Sequence, residues 1–142
     1  MIYLGENVKI TILSPEEKEY EKSNNYSIVL RLDYYNNSFL FMGDAELDIE
    51  NYLLDNNSNI QCDLIKIGHH GSNSSTSNNF IKKVSPKYAV ISVGKDNDYN
   101  HPDKKVLDRL NRYNIEIIRT DLNGNIIVTS DGSNITIQKE RE

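Results

Sequence analysis

The run Asp63-Leu64-Ile65-Lys66-Ile67-Gly68-His69-His70-Gly71-Ser72 constrains the fold of this chain more than any other stretch. Apolar residues lead into a glycine, then two adjacent histidines, then Gly-Ser. Such a run is a buried strand that surfaces and delivers two imidazoles at its C-terminal mouth. In open α/β sheets, ligands and catalytic groups collect at that mouth. Upstream, Phe39-Leu40-Phe41-Met42-Gly43-Asp44 ends in a carboxylate in the same way, and downstream Asn100-His101-Pro102 follows another apolar strand. All three histidines of the chain therefore come just after expected strands.

The bulk properties narrow the function classes. At 142 residues the chain is one domain or part of one. A net charge of −5, with signs interspersed, argues against a protein that coats nucleic acid through a basic face. It leaves room for a nuclease, whose metals offset substrate charge locally. The single cysteine, Cys62, excludes an internal disulfide framework. No stretch has the length of a membrane span, and Met1-Ile2-Tyr3-Leu4-Gly5 lacks the features of a signal peptide. The expectation is a cytoplasmic chain. The asparagine pairs (Asn24-Asn25, Asn36-Asn37, Asn56-Asn57, Asn78-Asn79) fall between periodic segments and read as loop composition.

Along the chain, Val8–Leu13 alternates as a half-buried strand. Ser27–Tyr34 and Ser38–Met42 are two strands joined by a tight turn at Asn36-Asn37. Ala45–Leu54 is a helix, and Cys62–Ile67 a strand. Ser77–Val84 is a short helix capped by Ser77, and Tyr88–Val93 a strand covered on both faces. Pro102 suits the first turn of the next helix. That helix places Val106, Leu107, Leu110 and Tyr113 on one stripe. Ile115–Ile118 is a strand. Asn123-Gly124 marks a hairpin between 119–121 and 126–129, and Asp131-Gly132 another before 135–137. The fold class is α/β: a mixed sheet with helices largely on one face.

Imidazoles and a carboxylate at strand mouths are the parts of a zinc or manganese site. Asp44 and His70 are the first candidates. Asp44 could equally close a turn or cap the following helix, and His69-His70 could be polar residues where a strand surfaces. His101 could cap the helix that follows Pro102. Cys62, at the far end of the histidine-bearing strand, is too distant to share a ligand shell and reads as core. The loop Gly71-Ser72-Asn73-Ser74-Ser75-Thr76-Ser77 precedes a helix, so it is either a phosphate-facing loop or a flexible polar one.

Residues from about Asn24 to Ser130 resemble the C-terminal half of a metallo-β-lactamase-fold hydrolase, of the type found in ComEC/Rec2 DNA-uptake proteins. Carrying stretches are Asn25–Leu30, Phe41–Glu46, Asp63–Ser72, Ser75-Thr76-Ser77, Pro86–Gly94, Asn100-His101-Pro102 and Arg119-Thr120-Asp121. The resemblance implies an αββα sandwich with a dinuclear zinc or manganese site at one edge of its two sheets, and hydrolysis of DNA phosphodiesters or other phosphate esters. It makes Asp44 the bridging ligand and His70 the late histidine ligand of the second metal, with His69 as the weaker candidate. It sets His101, and with it Ser72 and Asn100, against the substrate or leaving group. Asn25 or Ser27 stands about where other members carry a ligating histidine.

The principal metal motif of that family, His-x-His-x-Asp-His, does not occur here. Asp44 and His70 supply two ligands, whereas a hydrolytic zinc takes about three from the protein. The expectation is therefore the C-terminal portion of the domain over 1–142, inactive by itself and leaving an apolar sheet face uncovered. Its partner would be an N-terminal half-domain or a second copy of the chain. The resemblance further implies a membrane-associated parent protein. The alternative is a non-catalytic half-domain used for binding.

Overall fold

The computed structural model describes residues 2–3, 6–56 and 58–142. Met1, Leu4 and Gly5 of the leader reading, and Asn57 of the asparagine pairs, lie outside the described residues.

Alternation of apolar residues builds one seven-stranded sheet whose spatial order is the chain order. Strands β1 (Ile2–Tyr3), β2 (Val8–Ser14), β3 (Val29–Tyr34) and β4 (Asn37–Phe41) form an antiparallel meander. Strands β5 (Leu64–Lys66), β6 (Tyr88–Ile91) and β7 (Glu116–Arg119) then join in parallel to β4 and to one another. Three helices fill the parallel connections: α1 (Leu47–Asp55), α2 (Asn78–Val84) and α3 (Lys104–Arg112). A single helical turn, α4 (Thr120–Asn123), leads into the hairpin of β8 (Ile126–Ser130) and β9 (Ile135–Lys139), a separate two-stranded sheet. The expected mixed α/β sheet is the observed one.

The pleat sends successive side chains to opposite faces. Leu40, Ile65, Ala89 and Ile91 point to the helices and pack with Ile49, Leu53, Phe80, Ile81, Val106 and Leu110, all essentially without exposure. Each such aliphatic side chain contributes roughly 1.5–3 kcal/mol through burial. The stripe read from the periodicity of α3 is the buried one, with Val106 and Leu110 fully covered and Leu107 and Tyr113 at its margin. On the opposite face Phe39, Leu64 and Val90 meet Ile126, Val128, Ile135 and Ile137 of the hairpin. Cys62 is buried core, as expected, and burial pushes its thiol up to about 12.

The hairpin covers its face of the sheet unevenly. An open apolar cavity of about 410 Å³ remains between it and the meander, lined among others by Leu32, Phe39, Phe41, Leu64, Val90 and Val128. No helix among the described residues is long and apolar enough to cross a membrane.

Several local expectations shift. The β3–β4 turn is Tyr35-Asn36 rather than Asn36-Asn37, because Asn37 pairs with Tyr34 in the ladder and Tyr35 takes the positive φ of 49°. Asn37 is held there by Ser130, whose hydroxyl donates to its Oδ1 at 2.7 Å. Neither His101 nor Pro102 starts α3: the Asp103 carboxylate accepts from Lys105 N at 2.7 Å and caps it. Asn123-Gly124 closes no hairpin. Residues 120–123 form α4, and Gly124 N donates to Thr120 O at 3.0 Å as its cap. Asp131-Gly132 does join β8 to β9.

Candidate metal centre

Because β4, β5, β6 and β7 run in the same direction, their C-terminal ends open at one edge of the sheet. Gly43-Asp44 follows β4, the histidine pair follows β5, Ser92 and the His101 loop follow β6, and Thr120 follows β7. The sequence-separated candidates are thus brought together by strand direction alone.

The loops are stitched tightly. His69 N donates to Gly43 O at 3.0 Å, and Asp44 N donates to Ser27 Oγ at 3.0 Å. Gly43 has φ +56°, and a Cβ there would lie 3.0 Å from the Ser27 Cβ, so both its conformation and the close approach require glycine. His69 and His70 themselves adopt left-handed backbone, with φ of 46° and 54°. Each such non-glycine residue costs roughly 1–2 kcal/mol. That strain turns the two rings in different directions.

His70 turns toward Asp44, its Nε2 standing 3.5 Å from Oδ1. Its Nδ1–H donates to the Ser92 carbonyl at 2.6 Å. A carbonyl can only accept, so this bond places a proton on Nδ1 and makes Nε2 the nitrogen that faces the carboxylate. At that distance Nε2 and Oδ1 can share a proton or flank a metal ion. The arrangement is the one in which a backbone carbonyl orients an imidazole for a metal. The residue after Ser92 is held in turn by Thr120, whose hydroxyl accepts from Val93 N at 2.7 Å and donates to Val93 O at 2.8 Å.

His69 turns instead toward Ser74 and Glu46. Its Nδ1 lies 3.3 Å from both Ser74 Oγ and Glu46 Oε1. Glu46 is nearly buried; desolvation opposes its charge, but hydrogen bonds from Lys22, Asn24 and Ser74 outweigh it and hold the carboxyl below its usual range. Asn25 and Ser27 brace the same turn: Asn25 Oδ1 accepts from Glu46 N at 3.2 Å, and Ser27 accepts from Asp44 N.

His101 approaches from the third loop, its ring 5.8 Å from that of His69. Its Nδ1 is buried with no partner among the described residues. Desolvation, followed by the nearby His69 and His70, lowers its pKa below 6.5. This loop docks through Gly71 (φ +82°), where a Cβ would meet the Pro102 Cβ at 2.6 Å. Asn100 is exposed on the rim. Ser72 Oγ faces Ser74 Oγ at 3.0 Å, within the network around His69.

The serine-rich loop is neither an empty anion cradle nor slack. Ser77 caps α2, accepting from Phe80 N at 3.4 Å. The amides of Thr76 and Ser77 already donate to the buried carboxylate of Glu50. Arg109 donates to the carbonyls of Ser75 and Thr76 at 3.3 and 3.1 Å and to Asn73 Oδ1 at 2.9 Å. Burial raises the Glu50 pKa despite those amides and Arg109.

The sequence pattern described as Metallo-beta-lactamase superfamily matches residues 7–95, more than half of the chain. The chain belongs to the metallo-β-lactamase superfamily. Within it, this is a ComEC/Rec2-type domain. It is 42% identical to ComE operon protein 3 of Bacillus subtilis (strain 168), over 84% of this chain and 16% of that protein. It is 37% identical to Competence protein ComA of Neisseria gonorrhoeae, over 84% of this chain and 17% of that protein. With Recombination protein 2 of Haemophilus influenzae the identity is 35%, over 92% of this chain and 16% of that protein. The chain thus spans about one sixth of the length of these curated relatives.

Members of this superfamily usually bind metal ions, and the donor chemistry here fits part of such a site. One carboxylate and one imidazole Nε2 converge, donor types that zinc and manganese accept. Among the described residues, no three or more His, Cys, Asp or Glu side chains are grouped to hold an ion. Glu46, Glu50, Arg109 and Thr120 carry the support of this metallo-β-lactamase-type edge, and sequence reading missed them. Glu46 and Thr120 fall within stretches that carry the family resemblance, though without an assigned role, and Glu50 left a local signal as an acid among the buried residues Ile49 and Leu53 of α1.

Proposed function

We propose that this chain supplies the C-terminal portion of a metal-dependent phosphodiesterase domain, acting on DNA or another phosphate ester in DNA uptake, and that it is inactive alone. The observation that carries this reading is the convergence of His70 Nε2 on Asp44 Oδ1 at 3.5 Å with the His70 tautomer set by the Ser92 carbonyl. Asp44 and His70 would hold zinc or manganese, with Asp44 bridging two ions and further ligands coming from outside these residues. When bound, the metal pair supplies an activated water and a clamp for phosphate oxygens.

The residues of the chain divide the remaining work. Ser92, fixed through Thr120, keeps His70 in its ligating tautomer. Glu46 and Ser74 hold His69 beside the site and away from Asp44, so His70 is the ligand and His69 lines the wall. His101 faces substrate or the leaving group, with Ser72 and Asn100 along the same rim. The names of the relatives support a setting in competence, and the open apolar face supports a covering partner, an N-terminal half-domain. Without it, the half-domain binds but does not hydrolyse.

The test is metal content by mass spectrometry of the chain and of its Asp44→Ala, His70→Ala double variant, with a phosphodiester assay before and after adding the N-terminal portion of the domain. Weak, variant-sensitive metal binding and activity only on mixing are expected. Strong activity of the chain alone, or metal retained by the double variant, would remove the reading. A metal-loaded dimer of the chain would replace the half-domain partner with a second copy.

A further inference from the structure

The loop between β6 and α3 carries a side chain that the reading above leaves idle. Tyr99 is 79% exposed, more than any other large apolar side chain among the described residues. On a slack loop that would carry no meaning, since single exposed hydrophobics are common. Besides its docking on Gly71, this loop is tied internally by one side chain. Asn97 Oδ1 accepts from the amides of Tyr99 and His101 at 3.2 and 2.9 Å, while its Nδ2 donates to the carbonyls of Gly94 and His101 at 3.0 and 2.7 Å.

The Tyr99 ring lies near-parallel to that of His101, at 25° and 5.8 Å between centroids. His101 meets His69 at 5.8 Å, and His69 meets His70 at 6.5 Å. A row of rings therefore runs from an open aromatic face to the Asp44–His70 pair. Lys95 is flanked on this loop by Asp96 and Asp98, so the loop has no positive surplus to draw a phosphate. What it offers is a π-face.

We propose that the outer face of Tyr99 is a stacking platform for an unpaired nucleobase flanking the scissile phosphodiester, which makes the substrate a single-stranded or frayed nucleic acid strand. This rests on the phosphodiester reading above. A simple phosphate ester has nothing to place on the ring. A base inside a duplex is already stacked on its neighbours, whereas unpaired bases are routinely taken up by aromatic side chains.

The experiment is calorimetric binding of a thymidine tetranucleotide and of an abasic strand with the same number of phosphates, in manganese(II), to the chain and to its Tyr99→Phe and Tyr99→Ala variants. The wild type and Tyr99→Phe should prefer the base-bearing strand by roughly five- to a hundredfold, the range of one stacked base. Tyr99→Ala should lose that preference and keep its affinity for the abasic strand. Equal binding of both strands by the wild type overturns the platform and leaves the phosphodiester reading standing. A preference that survives in Tyr99→Ala likewise overturns it. Failure to bind either strand overturns both.

Discussion

The two faces of the sheet are built from alternate residues of the same strands, yet one is closed and the other open. Leu40 faces the helices with no exposure; its neighbour Phe41 faces the hairpin side, 36% exposed beside the apolar cavity. The difference teaches where this molecule is self-sufficient. Three helices seal one side, while a single hairpin of five-residue strands covers only part of the other. The histidine edge lies at the C-terminal ends of the parallel strands, and two of its supports, Glu50 and Arg109, come from helices of the closed side.

The largest test of that contrast is a pair of truncations on β4. Leu40→Ala should cost about 2–5 kcal/mol in denaturant unfolding, as a cavity in a sealed core does. Phe41→Ala removes a larger side chain but should cost less than about 2 kcal/mol, because much of its surface is already in contact with solvent. Equal losses would mean the hairpin face is as closed as the helical one.

Next comes Glu50, the closed side's hold on the histidine loop. Glu50→Ala leaves two amides without their acceptor and should destabilise by about 1–3 kcal/mol. Amide exchange at Thr76 and Ser77 should rise before that of α3. A smaller change is expected from Thr120→Val, about 1 kcal/mol for its bonds to Val93. Its sharper readout is nitrogen NMR of His70: loosening Ser92 should shift the ring away from the Nδ1–H tautomer, while Thr120→Ser keeps it.

The smallest effect is in pH. His101 is depressed by burial, so below 6.5 the unfolded chain takes up its proton before the folded chain does. Stability should be flat above that value with respect to His101 and fall as pH drops below it. His101→Asn should remove that share of the slope in thermal melts; an unchanged slope would mean the ring is not desolvated.

Much of this fold can be read in the sequence because its signals are local. The α3 stripe, the strand runs and the Asp131-Gly132 turn each lie within a few residues. The errors are local too: Asn123-Gly124 looks like a hairpin turn, but Thr120 has already begun a helical turn there. For the site, strand mouths were enough to assemble Asp44, His70 and His101. They could not tell that His70 faces Asp44 while His69 faces Glu46, because that depends on two left-handed backbones that no residue type there announces. Nor could they find Glu46, Glu50, Arg109 or Thr120, whose partners lie more than twenty residues away in sequence.

The strand order has one more consequence. From β4 to β7 each new parallel strand is added on the same side of the last, with no reversal. Crossovers between parallel strands turn right-handed almost without exception. Repeating one handed step in one direction drops every connecting helix on the same side. A doubly wound sheet clothes both sides only by reversing direction part-way. The helix-free face here thus follows from chirality: no change of side chains in α1, α2 or α3 could bring a helix to it, and what does cover part of it, the β8–β9 hairpin, arrives from beyond the repeated step.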